Sequence, residues 1–426
     1  MKTWKRVALL LLAAIACVCL VLEIVSRVAD QVTYAPRKEG PGFLQKFSLG
    51  YLDPAAARLV DLRTVPHPYL GYALKAGWHT ADGAAQQGSH NSLGFRGKET
   101  TWEKPAGVWR IVTSGGSSVY GQSESQDAAV WSQRLEDLLN QAGLPYRVEV
   151  INGGCPGYNI YENLINFETR LVDFHPDLLL HYEAINDMRC ALYTRGGSVQ
   201  RDNTHWREPW PVDRPSTLER WLQHSRSYLV WRRFFTDYAR TRADLGFWAI
   251  VNYDPNGDPY DPDPVPDLGF ESYQRNLVSL VECARSHGVQ PLLVTQPLAR
   301  FHLRRAPSGA KQLAGIDRIQ SIERTVARER NVPLFECARI VEAAIDKQLD
   351  EETARVAAEH KDLKPEEARA QAMDRLHPDP LPREPLPGVL FRAEVHPFDL
   401  GSDLIAHTIA DYLLHSALLP KSLERH

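Results

Sequence analysis

Three things are scarce in this chain, and each scarcity excludes something. Cysteine is rare, with six in 426 residues, too few for a fold stapled by disulfides. An excess of either charge is lacking. Lys and Arg number 49 against 53 Asp and Glu, a formal net charge of −4, which argues against a protein built mainly to bind nucleic acid. Overall hydrophobicity is also low, with a mean hydropathy of −0.35, which excludes a polytopic membrane protein. Charged residues at 24% and hydrophobic residues at 43% are nevertheless those of a folded chain. The length exceeds the common domain size of about 100–150 residues, so one large domain with insertions and two domains are both open. No internal repeat of fixed period is apparent.

The one long apolar run comes first. Lys2, Lys5 and Arg6 precede an unbroken stretch from Val7 to Leu22, interrupted by Glu23 and ended by Arg27 and Asp30. Sixteen helical residues rise about 24 Å, slightly short of a hydrocarbon core of about 30 Å. Glu23 and the flanks close the gap by snorkelling. The basic flank stays cytoplasmic, so the remainder is expected outside the cytoplasm. A cleaved signal peptide is the rival reading, but no small-x-small site followed by polar sequence appears. An uncleaved anchor is therefore expected over residues 1–30. In an oxidising compartment Cys155, Cys190, Cys283 and Cys337 could pair in three ways or remain buried thiols.

Residues 31–105 are rich in Gly, Pro and aromatics without sustained period and read as a stalk and irregular subdomain. From Trp109 the pattern changes. Short apolar strands at 110–114, 147–152, 177–182 and 290–295 alternate with helical spacing at 127–141, 160–174, 272–287 and 316–330. A short strand at 332–335 and a last helix at 402–414 follow. Such alternation predicts a three-layer α/β/α sandwich with a mostly parallel sheet, whose ligands bind at the carboxyl ends of the strands. Two inserts interrupt it. Residues 190–268 hold Trp206, Trp210, Trp221, Trp231 and Trp248, and residues 350–376 read as a charged, solvated surface helix.

Chemistry-bearing residues follow the strands. After the first comes Gly115-Gly116-Ser117-Ser118-Val119-Tyr120-Gly121, where a serine between a glycine-rich strand end and a helix start is well placed as a nucleophile. It is neither a G-x-S-x-G elbow, because Val119 stands where the second Gly belongs, nor a P-loop. After the second comes Asn152-Gly153-Gly154-Cys155-Pro156-Gly157-Tyr158, and after the third Glu183-Ala184-Ile185-Asn186-Asp187. A Gly N–H and an Asn amide are donors suited to a developing oxyanion. A serine needs a base, and Glu394-Val395-His396-Pro397-Phe398-Asp399-Leu400-Gly401 offers His396 just before the last helix.

In these blocks the chain resembles the SGNH (GDSL-type) hydrolase family, in particular its membrane-anchored bacterial members. Ser117, Gly157, Asn186 and His396 match the four name-giving residues in order over roughly residues 106–190 and 270–415. The resemblance implies a flavodoxin-like SGNH fold, Ser117 as nucleophile, and His396 as general base and acid. The Ser117 and Gly157 N–H groups and Asn186 would form the oxyanion hole. His90 to Gly97 (HNSLGFRG) resembles a segment of anchored relatives, and Arg96 is expected to hold it to the catalytic domain.

Three positions depart from the family pattern. Gly116 replaces the Asp before the serine, Ala184 replaces a Gly, and Ala393 stands where an Asp usually precedes the histidine. Glu394, Asp399, a remote carboxylate or a backbone carbonyl is left to orient His396. Asp374-Arg375-Leu376-His377 is a literal D-x-x-H, but Pro378 and Pro380 follow instead of Gly and a helix, so it reads as a decoy. Cys155 reads as a structural thiol or disulfide half rather than a second nucleophile. Asp254 to Asp258 opens like a calcium loop, but Pro259 stands where Gly is wanted, so it reads as a linker. The tryptophan-rich insert reads as ordinary packing before a lid or glycan platform.

The expectation is thus an anchor (1–30), a stalk subdomain (31–105) and an SGNH-like catalytic domain (106–426). The candidate site residues are Ser117, His396, Gly157, Asn186 and Glu394, with no cofactor and no metal. The expected activity is ester hydrolysis of acyl groups, acetyl first, on envelope or exported glycans, from the inner membrane. O-acyl transfer to polysaccharide and a degenerate glycan-binding scaffold are the alternatives.

Overall fold

The computed structural model describes residues 3–34, 63–80, 88–193, 199–203, 205–206, 217–222, 224–225, 227–228, 260–304, 307–378, 386 and 388–423. Most of the expected stalk, Trp210, Trp231, Trp248 and the Asp254–Asp258 segment lie outside the described residues. Elements are numbered in chain order: α1 (Thr3–Tyr34), β1 (Thr64–His67), β2 (Gly71–Leu74), β3 (Val108–Ser114), α2 (Ser117–Tyr120), α3 (Trp131–Gln141), β4 (Arg147–Asn152), α4 (Ile160–Asn166), β5 (Leu178–His181), α5 (Ile185–Leu192), α6 (Thr217–Leu222), α7 (Leu268–Ser286), β6 (Gln290–Val294), α8 (Arg300–Leu303), α9 (Gly309–Glu329), β7 (Leu334–Phe335), α10 (Cys337–Glu359), α11 (Pro365–Leu376) and α12 (Asp399–His415).

Two compact units emerge, one of residues Met1–Ala73 and Glu208–Tyr253, the other of Leu74–Arg207 and Asp254–His426. In the first, α1 includes a 20-residue apolar stretch, Leu9–Val28, with its side chains outside any protein core. Twenty helical residues rise about 30 Å, enough to cross a bilayer. Glu23 is held within this helix unit. Its carboxylate accepts from Arg27 Nε (2.7 Å), Ser225 Oγ (2.7 Å), Ser227 Oγ (3.0 Å) and the Ser227 N–H (3.1 Å).

The second unit is built on a five-stranded sheet in the order β4-β3-β5-β6-β7, every pairing parallel. Parallel strands must be covered on both faces, and alternation along each strand supplies both covers. Ile111, Leu178, Leu180, Leu292 and Val294 face Trp131, Leu135 and Leu139 of α3, Val341 and Ile345 of α10, and Ile405 and Ile409 of α12. Val112, Leu179 and Leu293 join Ile160 of α4, Met188 of α5, Leu277 of α7 and Ile316 of α9 on the other side. This is the three-layer α/β/α sandwich the sequence pattern predicts. In chain order the strands read 2-1-3-4-5, so the direction of winding reverses between β3 and β5. A crevice opens at such a reversal, at the carboxyl ends of the strands.

Two boundaries differ from the sequence reading. The α/β unit begins at Leu74 rather than at 106. Its early segment is tied in by Arg96, whose Nε donates to Asp127 (2.7 Å), and by His90, whose Nε2 lies 2.9 Å from the Tyr120 hydroxyl. The 350–376 region is not one solvated helix. It spans the end of α10 and all of α11, with Pro365 opening the second helix, and it buries Val356, Ala368, Ala372 and Leu376. Within the tryptophan-rich insert, Trp206 is buried against Tyr193 in ordinary edge-to-face packing (5.7 Å), while Trp221 of α6 is exposed. None of the six cysteines is paired in a disulfide.

The core carries an unusual number of carboxyls. Glu124, Glu183 and Glu323 are buried, and burial pushes them up to about 7, about 7 and about 8. The unfolded chain releases those protons near the ordinary value of 4.5. The folded state therefore holds extra protons, and stability falls as pH rises through the folded values. Buried His181, pushed down to about 4, acts oppositely but only below its ordinary 6.5. Thermal melts of the detergent-solubilised full-length chain should thus show the melting temperature falling between about pH 6.5 and pH 8; a rise across that window would contradict this assignment of protons.

Candidate active site

The nucleophile candidate sits on a helix of one turn. Gly116 (φ −92°) leads out of β3, Ser117–Tyr120 make the turn, and Gly121 (φ 88°) ends it in the left-handed region that favours glycine. A single turn is not stable alone, and its terminal carbonyls need donors. Side chains supply them. Trp131 Nε1 donates to the Ser118 carbonyl (2.9 Å), Asn152 Nδ2 to that of Val119 (2.8 Å), and Arg96 Nη1 to those of Tyr120 (3.3 Å) and Gly121. Arg96 is 8% exposed and stacks over the Tyr120 ring at 4.9 Å. The expectation for Arg96 is met: it fastens the HNSLGFRG segment to the turn that bears Ser117.

Ser117 Oγ lies 2.7 Å from His396 Nε2, across 279 positions of sequence. The loop bearing the histidine is held at both ends. The Arg392 N–H donates to the His396 carbonyl (2.8 Å) and the Phe398 N–H to that of Leu390 (2.9 Å). Gly401 is needed because a Cβ there would come within 2.1 Å of the Leu390 carbonyl oxygen, which accounts for its spacing from His396. His377, the decoy, is placed elsewhere. Its Nδ1 contacts the Arg392 carbonyl (3.1 Å) and its ring packs on His302 (3.8 Å) and Phe301 (4.8 Å).

The other two blocks meet beside Gly116. A Cβ on Gly116 would lie 2.4 Å from Asn186 Nδ2 and 3.1 Å from the Tyr158 carbonyl oxygen. Asn186 Nδ2 donates to that same carbonyl (2.9 Å). Gly157 precedes Tyr158 in a turn at φ 81°. Gly154 permits the approach of this loop, since a Cβ would meet the Tyr120 nitrogen at 2.4 Å. Ala184 stands where a Gly is usual, and its φ of −150° does not call for the left-handed region that favours glycine. Asp187 accepts the Ile160 N–H at 3.0 and 3.1 Å and so serves the start of α4.

Of the nearby carboxylates, Asp399 is committed to Ser125, accepting its N–H (2.7 Å) and hydroxyl (2.5 Å). Glu394 is ion-paired with Arg189, which lies one turn beyond Asn186 on α5. Burial alone would raise the Glu394 carboxyl; Arg189 and then His396 outweigh it and hold it down at about 2. Glu394 is therefore a fixed negative charge beside the imidazole.

Two residues of the site escaped the sequence reading. Gln296, just past β6, donates to Ser118 Oγ (2.6 Å) and accepts from the Ala184 (3.0 Å) and Ile185 (2.9 Å) N–H groups. It therefore links the nucleophile turn to the start of α5. Glu183, just past β5, accepts from the Gly116 N–H (2.7 Å) and the Asn186 N–H (3.0 Å). Their only signal in sequence is position, each directly after a strand on the carboxyl edge.

No protein-family model matches the chain, and no curated protein sequence matches it. Solved structures are similar to it. A lipase/acylhydrolase from Enterococcus faecalis is 12% identical, with 72% of this chain and 95% of that chain covered and a TM-score of 0.38. An acetyl xylan esterase is 12% identical over 71% and 99%, TM-score 0.38. A catalytic mutant of an acetylxylan esterase from Geobacillus stearothermophilus is 13% identical over 74% and 97%, TM-score 0.36. The parallel 2-1-3-4-5 sheet, with Ser117 meeting His396 at its carboxyl edge, is the flavodoxin-like arrangement that the chain's resemblance to the SGNH (GDSL-type) hydrolases implies.

Proposed function

We propose that the protein is a serine-dependent ester hydrolase that removes small acyl groups, acetyl first, from envelope or exported glycans outside the cytoplasm. The observation that carries this reading is the 2.7 Å contact between Ser117 Oγ and His396 Nε2 at the sheet's winding reversal. His396 takes the Ser117 proton as the hydroxyl attacks the ester carbonyl. The oxyanion forms beside Gly116, where the Ser117 and Gly157 N–H groups and the Asn186 amide are candidates to receive it. His396 then protonates the departing sugar hydroxyl, leaving an acyl group on Ser117. Water, activated by the same imidazole, releases the acid.

Glu394 supports the imidazolium electrostatically as the charge develops, the role of the acid in such sites. Ser117 is 6% exposed and Asn186 4%, a setting that suits a small acyl group. The location rests on α1. Its apolar stretch Leu9–Val28 is long enough to cross a bilayer, and we take it as an uncleaved inner-membrane anchor with the hydrolase on the far side. O-acyl transfer would use the same serine, so the assay separates water from sugar as acceptor.

The test incubates the full-length chain in detergent with acetylated xylan or p-nitrophenyl acetate, and measures acetate release apart from acetyl gain on deacetylated glycan. Acetate release, lost by about 10³-fold or more in Ser117→Ala and His396→Ala, is expected; acetyl gain without release would assign a transferase, and neither would sink the enzyme reading. Glu394→Gln should slow hydrolysis by about tenfold. The acid limb of its rate profile should also move to lower pH, because a negative charge favouring the imidazolium is gone. An unmoved limb would remove Glu394 from this role.

A further inference from the structure

The nucleophile block departs from its family at Gly116, where an Asp is usual, and the space beside Gly116 is already occupied. Glu183 arrives there from the end of β5, its side chain 0% exposed. A Cβ on residue 116 would lie 2.5 Å from Glu183 Oε2 and 2.4 Å from Asn186 Nδ2. No aspartate fits at 116 while Glu183 and Asn186 stand as they do. The two carboxylate oxygens are also divided between two partners. Oε2 accepts the Gly116 N–H at 2.7 Å, one residue before the nucleophile, and Oε1 accepts the Asn186 N–H at 3.0 Å.

We propose that Glu183 is a positioning residue that supplies, from the third strand of the fold, the carboxylate this chain lacks at position 116, and that it sets the spacing between Ser117 and the Asn186 amide. The assignment rests on the reading of Ser117 as the nucleophile. A packing role would be served as well by an apolar residue, without the cost of burying a charge. An ionised carboxylate offers an acceptor on each of its two oxygens, one for each N–H; a protonated acid or an amide places a donor group at one of those two positions.

The charged and titratable groups around Glu183 come from several elements. Arg189 on α5 favours its ionised form. Asp187 on α5 and Glu323 on α9 couple to it as like charges. Tyr182 beside it and Tyr273 on α7 feel its charge as well. Burial is the largest effect and pushes the Glu183 carboxyl up to about 7, opposed by the Asn186 and Gly116 N–H groups. The ionised form is then lost as pH falls through neutrality, alongside protonation of the His396 base, so both deplete the competent state on the acid side.

The test is the rate of Ser117 labelling by a fluorophosphonate probe, measured against pH on the full-length chain in detergent. Labelling in the wild type should fall with a slope approaching two protons on the acid side. In E183Q it should be slower by about tenfold or more at pH 8, with a slope of one. Circular dichroism establishes that E183Q is folded. Folded E183Q labelling at the wild-type rate with the wild-type slope overturns the assignment. If E183Q does not fold, the wild-type profile decides, a single-proton limb overturning it and a two-proton limb supporting it. Absence of wild-type labelling at Ser117 at every pH overturns the hydrolase reading and this assignment with it, which the wild-type arm distinguishes from failure of Glu183 alone.

Discussion

A helix of one turn cannot hold itself in place, yet the chemistry proposed here depends on where such a turn points its first side chain. Ser117 begins a four-residue helix, and its direction is imposed from outside. Trp131, Asn152 and Arg96 take the carbonyls at its end. Glu183 takes the Gly116 N–H at its start, and Gln296 reaches Ser118. These donors and acceptors come from segments far apart in sequence and are themselves buried. A buried polar group left without its partner costs more than the bond gains, so the turn has one arrangement in which all of them are satisfied. That arrangement brings Oγ to the His396 ring.

The sheet explains why those segments are available. In a parallel sheet every strand ends at the same edge, and the reversal between β3 and β5 opens that edge. Ser117 follows β3, the Gly157 loop follows β4, Glu183 and Asn186 follow β5, and Gln296 follows β6. Four of the five strands therefore deliver part of the site with a few residues of loop. His396 arrives differently, on a loop stapled to Leu390 by backbone bonds and by the close passage of Gly401.

The fold was largely legible in the sequence. The apolar strands and the amphipathic helices between them follow from periods of two and 3.6, and the α/β/α layers follow from their alternation. Ends were less legible. Helix α9 begins at Gly309 rather than 316, because its first turns carry Gly, Lys and Gln instead of a periodic apolar stripe. The 350–376 helices read as wholly solvated because their buried apolar face is sparse, with only Val356 and Leu376 beside the small Ala368 and Ala372, which gives little pattern against so many charges.

The site divides along the same line. Ser117, Gly157, Asn186 and His396 were readable because each falls in a block whose spacing resembles that of the SGNH hydrolases. Glu183 and Gln296 were not, since a lone Glu or Gln after a strand has no spacing to mark it. Their importance lies in hydrogen bonds across the fold. The same holds for the Arg189–Glu394 pair, which joins two blocks 205 positions apart. Glu394 was noticed for its nearness to His396 in sequence, whereas its cationic partner appears only once α5 and the final loop are folded together.

On the proposed mechanism Ser117 forms a covalent bond to an acyl group with the help of His396. The most direct measurement is peptide mapping by mass spectrometry of the full-length chain, acid-quenched during turnover of an acetyl ester. The account predicts acetylation on Ser117, absent when His396 is replaced by alanine. Turnover with no acyl group on Ser117, or with the group carried on another residue, would contradict it.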